Sequence, residues 1–240
     1  MSAAMLKVEL LAHTEGEKTA ALAGKLCYSD ASIGDLTGVV AVAEQRKFLS
    51  MLNRAGHHSV FEHLSFTFGI EGVSRALTHQ LVRHRIASYS QKSQRYVAHK
   101  GGFSYIVPPA VAADPEGLKK YSKIMNNIAR EYDALAALGI PAEDARYVLP
   151  NACETKIIVT MNARELLHFF RLRCCERAQW EIRELATEML KKVARVAPSV
   201  FTAAGPSCVS GVCSEGKMSC GHASRNRGKF TEMIQTEIND

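Results

Sequence analysis

HLSFTFGIEGVSRALTHQLVRHRIASYSQKSQRY, residues 63–96, reads as three successive patterns. Leu64, Phe66, Phe68 and Ile70 alternate with Ser65, Thr67 and Gly69, the period-two signature of a strand with one buried face. Gly72 to Arg85 predicts a helix whose last turn is Arg83-His84-Arg85, and the remainder predicts a polar exit loop. From Arg83 to Tyr96, fourteen residues carry three arginines, a lysine, a histidine, three serines and two glutamines, with no carboxylate.

The deficit of acid extends further. No Asp or Glu occurs between Glu71 and Asp114, while Arg75, Arg83, Arg85, Lys92, Arg95 and Lys100 all fall there. A solvated face mixes signs, so this stretch reads as an anion site within a chain of net charge +6. Cations in a last helical turn complement the helix dipole, which accounts for Arg83 and Arg85 alone. Ser88, Ser90, Gln91, Ser93, Gln94 and Arg95 are left over, and hydroxyls, amides and a guanidinium fork together can surround a phosphate and the polar edge of a base. Neither G-x-G-x-x-G nor a Walker sequence occurs, so the common nucleotide loops do not apply.

Outward from this core, Leu6–His13 reads as a strand, Glu15–Ser29 as a helix and Gly38–Gly56 as a second helix closed by its glycine. Gly102–Pro109 predicts a short strand stopped by prolines. Asp114 caps a helix from Pro115 to about Leu138. A short helix within Pro141–Pro150, a strand over Thr155–Met161, a helix led by Asn162 through Arg173 and a long amphipathic helix from Glu176 to Val196 follow. The interleaving lacks a regular βαβ rhythm, and the class is α+β, an irregular α/β arrangement.

With 240 residues, 47% of them hydrophobic, the chain can bury one sizeable core, and no Gly/Ser/Pro-rich linker divides it. No apolar run reaches membrane-spanning length and the first residues lack a signal-peptide core, which predicts a cytoplasmic protein without a membrane partner. Seven scattered cysteines leave at least one thiol unpaired and do not make a disulfide scaffold.

Arg-His-Arg at 83–85, seven residues and then Ser93 resemble the signature of the flavin-dependent thymidylate synthases, the ThyX family. His57–His63 (HHSVFEH), Ala145–Pro150 (ARYVLP), Asn162–Arg173 (NARELLHFFRLR) and Ala178–Ala186 (AQWEIRELA) agree in order and spacing, so the resemblance runs from Val8 to about Gly205. It implies a central, mostly antiparallel sheet packed with long helices. The implied catalytic domain is 1–204, followed by a Cys-containing extension over 205–240. It further implies conversion of dUMP to dTMP with FAD as cofactor, 5,10-methylenetetrahydrofolate as methylene donor and NADPH as reductant, in a homotetramer with shared active sites.

Residue by residue, the resemblance implies flavin contacts at His57, Ser59, Arg83, His84, Arg85, Gln91, Asn162, Ala163, Arg164 and His168. His57 is preferred to His58 on its spacing to Glu62-His63. Nucleotide contacts are implied at Gln80, Leu81, Val82, Arg83, Gln91, Lys92, Ser93, Gln94, Arg95 and Arg146, the last supplied by a neighbouring subunit. Arg173 matches the arginine that stabilises negative charge on the pyrimidine imide; on residues alone, a structural ion pair with Glu176 or Glu165 is the preferred reading. Ser93 has no base nearby in sequence, so binding is its reading rather than nucleophilic attack.

Two other classes compete. A basic nucleic-acid module would use Tyr89, Tyr96 and Phe103 as stacking platforms, and a thiol protein would use Cys174-Cys175; neither explains the ordered motifs, and no nucleic-acid partner is expected. No cysteine follows a proline, so the Pro-Cys-His nucleophile of the folate-only thymidylate synthases is missing. In the tail, Cys208, Cys213, Cys220 and His222 form a ligand set that suits zinc, but without C-x-x-C spacing, and free thiols with no metal are the reading carried forward.

Overall fold

The structure, a computed structural model, describes residues 3–38, 42–99 and 101–239. Lys100 of the basic stretch and positions 39–41 of the expected second helix lie outside the described residues. In chain order the first elements are β1 (Lys7–His13), α1 (Lys18–Leu26), α2 (Ile33–Gly38), α3 (Val42–Arg54), β2 (Ser65–Ser74), α4 (Arg75–Leu81) and β3 (Ala87–Gln91). Next come α5 (Pro109–Ala112), α6 (Pro115–Ala137), α7 (Ala142–Ala145), β4 (Glu154–Asn162), α8 (Ala163–Arg173) and α9 (Trp180–Val196). α10 (Pro198–Phe201), α11 (Ser207–Ser210) and α12 (Ala223–Asn239) close the chain, and single 3-10 turns occupy His58–His63, Arg146–Val148 and Gly216–Met218. The strands form an antiparallel sheet in the order β1-β2-β4-β3, and with the helices they give the α+β class expected.

Side chains start most of the long helices as their sequences dictate. Ser74 accepts from the Leu77 N–H, Asp114 from that of Glu116, Asn162 from that of Glu165, and Gln179 from those of Glu181 and Ile182. No described helix is long and apolar enough to cross a membrane.

The helix expected to run to Arg85 stops at Leu81, and the expected exit loop contains β3. The Tyr89 hydroxyl donates to the Leu81 carbonyl at 2.8 Å, closing the helix end from the strand that follows. In β3, Ala87, Tyr89 and Gln91 are half-buried and Ser88 and Ser90 exposed, an alternation masked by uniformly polar composition. The expected strand at Gly102–Pro109 reduces to isolated bridges from Tyr105 to Ala3 and to Cys153, and α9 begins at Trp180 rather than Glu176.

The contacts divide the chain into two compact units. One comprises the residues up to Lys7, Gly69–Arg83 and Tyr89–Ile158. Its core gathers Phe103, Tyr105, Met125, Ala129 and Cys153, with Tyr121, Ile128 and Leu149 packed against them. Gly72 is at φ +69°, a conformation natural to glycine, and the Met5 backbone passes where a Cβ would stand.

The other unit comprises Val8–Phe68, His84–Ser88 and the chain from Val159 onward. Its apolar centre includes Leu64 just ahead of β2, Phe66 and Phe68 from β2, Leu166, Phe169 and Phe170 from α8, and Ile182, Leu185 and Met189 from α9. Phe201 meets Phe66 and Phe170 edge-on at 5.7 and 5.9 Å between ring centroids. The tail belongs to this unit: α12 packs on α9 and α11, burying Phe230 and Ile234.

Candidate active site

In the unit that carries α8, a cavity of about 1310 Å³ opens among α3, the 3-10 turn, α8 and the start of the tail. Arg164, His168 and Arg171, spaced four and three residues apart on one side of α8, line it together with Asn162. Arg54, His58 and Glu62 stand on its wall, as do Ile86, the segment Thr202–Gly205, Val209 and Ser210. The wall is braced locally. Asn53 Nδ2 donates to the Val200 carbonyl at 2.7 Å, the His58 ring meets the Asn53 carbonyl at 3.3 Å, and Arg164 Nη1 pairs with Glu62 Oε1. The upstream histidine on the wall is His58, whereas His57 and Ser59 are exposed and do not line the cavity. Ala163 is fully buried, and its N–H donates to the Leu64 carbonyl at 2.8 Å.

Two residues of α8, Glu165 and Arg173, join His84 in a three-residue relay, and Glu165 also lines the cavity. His84 is 4% exposed; its Nδ1 is 3.0 Å from Glu165 Oε1, and its Nε2 is 3.1 Å from Arg173 Nε. A guanidinium can only donate, so His84 Nε2 accepts, the proton sits on Nδ1 and donates to the Glu165 carboxylate, and the imidazole is neutral. Burial pushes the His84 pKa below its ordinary 6.5; the Glu165 hydrogen bond opposes this and the Arg173 charge adds to it. Burial likewise lowers Arg173 from its ordinary value without threatening its charge. The Phe169 ring stands edge-on to His84 at 4.9 Å and the His168 ring at 5.8 Å.

Neither ion pair allowed for Arg173 by the sequence is what the structure holds. Glu165 reaches it through His84, and Glu176 pairs with His222 and Arg225. The signature triplet also splits, with His84 buried and Arg83 and Arg85 exposed on either side.

The remaining predicted residues lie in the unit built around Phe103. Leu81 is fully buried, Gln80 half-buried and Val82 exposed. Gln91 Nε2 donates to Thr78 Oγ1 at 3.0 Å and Thr155 Oγ1 at 3.3 Å, and the Lys92 N–H donates to the Lys156 carbonyl. Ser93 Oγ accepts from the N–H groups of Arg95 (3.1 Å) and Tyr96 (3.4 Å), folding the segment after β3 into a turn. Burial pushes the Cys153 thiol up to about 11, with a Gln94 hydrogen bond and the Lys92 charge opposing. Arg95 Nε pairs with Glu143 Oε2 at 2.6 Å, and Arg146 Nε donates to the Glu143 carbonyl at 3.0 Å. Both partners of the Arg95–Glu143 pair are about half exposed, so water screens it and an anion can compete for the guanidinium.

Several residues of these arrangements escaped the sequence reading. The sequence marks Glu165 only as an ion-pair candidate for Arg173; three residues after the Asn162 cap it reads as helix start, not as the histidine's partner. Asn53, Glu62 and Glu143 occupy ordinary polar helix or turn positions. The tail residues on the cavity wall follow no periodicity.

A sequence model of the family described as thymidylate synthase complementing protein matches residues 9–199. The flavin-dependent thymidylate synthase of Geobacter sulfurreducens is 56% identical over 230 residues, covering 95% of this chain and 99% of that one. That of Clostridium tetani is 52% identical over 235 residues, covering 91% and 94%. Among solved structures, the UMP/dUMP methylase PolB from Streptomyces cacaoi, bound with 5-Br dUMP, superposes with a TM-score of 0.75 at 25% identity, over 83% of this chain and 94% of that one. The motifs around Arg83, the α+β fold and a match over most of the sequence agree: the chain belongs to the thymidylate synthase complementing protein family, the flavin-dependent thymidylate synthases.

Proposed function

We propose that this enzyme reductively methylates dUMP to dTMP, with FAD as cofactor, 5,10-methylenetetrahydrofolate as methylene donor and NADPH as reductant. The observation that carries the reading is a large cavity walled by Arg54, Arg164, His168 and Arg171, in the same unit as a half-buried arginine held by a neutral histidine. These residues fit FAD: a cavity of about 1310 Å³ has room for a dinucleotide, and its guanidiniums suit a pyrophosphate. Asn162, Arg164 and His168, which line this cavity, are assigned to the flavin; His57, Ser59, Arg83, His84, Arg85, Gln91 and Ala163 are flavin contacts by the family resemblance alone and are not among its lining residues. When bound, FAD supplies hydride chemistry that no side chain offers.

The chain's own groups bind, orient and stabilise charge. Arg173 uses Nε on His84, and its guanidinium carries four further N–H donors toward a pyrimidine imide that gains negative charge. Because His84 is neutral, the Glu165 carboxylate fixes the arginine's orientation from one imidazole away without lying against it. Gln80–Arg83 and Gln91–Arg95 form the nucleotide site, with Arg95 as bidentate phosphate ligand and Ser93 beside it. Arg146 acts on the nucleotide of a neighbouring subunit in a homotetramer. In support, Tyr147 and Val148 next to it are exposed, the tyrosine by 84%, an apolar surface that a second copy would cover.

The test is the visible spectrum of the purified protein followed by dUMP-dependent NADPH oxidation. A yellow protein that oxidises NADPH only with dUMP present is expected. A colourless protein with salt-sensitive affinity for polynucleotide would instead support the basic nucleic-acid reading.

A further inference from the structure

The tail gathers soft ligands that the proposed chemistry does not use. Gly221, at φ +78°, turns the chain between Cys220 and His222, and the His222 carbonyl accepts the Asn226 N–H to open α12. Glu176, just ahead of α9, faces both. One ligand atom from each of Glu176, Cys220 and His222 lies within 4.8 Å of the others. Glu176 Oε2 is 2.7 Å from His222 Nδ1, while Arg225 donates to Oε1 at 2.8 Å and fixes the carboxylate's direction.

An ordinary surface ion pair needs only Glu176, His222 and Arg225. Here the Cys220 thiol stands with it as well, and Asn226 Nδ2 reaches Cys220 Sγ at 4.0 Å. All seven cysteines are free. Thiolate, imidazole and one carboxylate oxygen are donors for Zn²⁺, whereas Mg²⁺ and Ca²⁺ take oxygen shells.

We propose that Glu176, Cys220 and His222 form a Zn²⁺ site, with water in the fourth position. Binding exchanges the thiol proton of Cys220 for the cation. The site acts as a clamp on the tail. Arg227 of α12 donates to the Cys208 carbonyl at 3.1 Å and to that of Gly211 at 3.4 Å, tying α12 to α11, whose Val209 and Ser210 line the cavity.

The experiment uses untagged, full-length protein. Elemental analysis should find about one zinc per chain, falling at least about tenfold in Cys220→Ser and His222→Ala. Protein stripped by chelator and titrated with Co²⁺ should develop the long-wavelength absorption of tetrahedral cobalt with a thiolate ligand, read as a difference spectrum beyond the flavin bands. Zinc retained at wild-type level in both variants, or stripped wild type that gives no tetrahedral cobalt spectrum, overturns the site. If the variants fail to fold, the wild-type titration decides. Flavin content, scored on the same preparations, separates the two readings: a colourless protein that binds zinc sinks only the FAD proposal, and a yellow one that binds none sinks only the clamp.

Discussion

Arg173 Nε donates to His84 Nε2 at 3.1 Å, and the opposite ring nitrogen of His84 is 3.0 Å from Glu165. An imidazole that must accept on one side and donate on the other has a single tautomer, so the relay sets its own protonation. Arg173→Ala should lower dUMP-dependent turnover by about 10²-fold or more while FAD stays bound. Glu165→Gln, which keeps the shape but can present its amide to the ring, should lower kcat with little change in KM. Unaltered turnover in Arg173→Ala would refute its role.

Stability should fall on mild acidification. His84 and His99 both have pKa values below the ordinary 6.5, burial being the first cause in each. As the pH drops below that value the unfolded chain takes up protons that the folded chain refuses. Stability is therefore full above it and declines toward the folded-state values. Denaturation midpoints at about pH 7.5 and about pH 5.5 should differ in this sense, and His99→Phe, among the rings of Phe103 and Tyr132, should remove part of the slope. A flat profile in wild type would sink this.

Ser93 and Arg95 divide the labour in the nucleotide loop. Ser93→Ala removes the acceptor that folds the turn and should raise KM for dUMP about tenfold with kcat largely kept. Complete loss of chemistry at saturating dUMP would revive the serine as nucleophile. Arg95→Lys should not rescue Arg95→Ala, because a bidentate fork cannot be replaced by a point charge.

Arg164 is held on the cavity wall by Glu62. Arg164→Ala should release flavin, read by fluorescence of the free cofactor, with affinity lowered about tenfold or more. Full retention of FAD would move the flavin away from this wall.

Gly72→Ala places a methyl group against the Met5 backbone at a φ of +69°. A loss of about 3 kcal/mol or insoluble protein is expected, measured by thermal unfolding. A melting temperature within about 2 °C of wild type would show that the backbone there yields easily.

Strong periodicity made much of the fold legible. Leu64, Phe66, Phe68 and Ile70 are buried as their alternation predicts, and Asn162 and Asp114 start α8 and α6 with side-chain hydrogen bonds. The reading failed where tertiary contacts decide. Tyr89 ends α4 early, and β3 carries a polar pattern because Thr78 and Thr155 satisfy Gln91 from inside. In the site, the positions of Arg164, His168 and Arg171 on one side of α8 followed from helix geometry. The pairing of Arg173 with a histidine eighty-nine positions earlier did not, since no local pattern encodes it.

The way the final helix is seated bears on how this enzyme can be engineered. Phe230 and Ile234 insert into the body, and the peptide just beyond Ala204 forms one side of the chamber. Trimming the gene at that point to obtain a minimal synthase would leave an open flank with a greasy scar. A fusion partner at the far carboxyl end, by contrast, would leave the chamber whole.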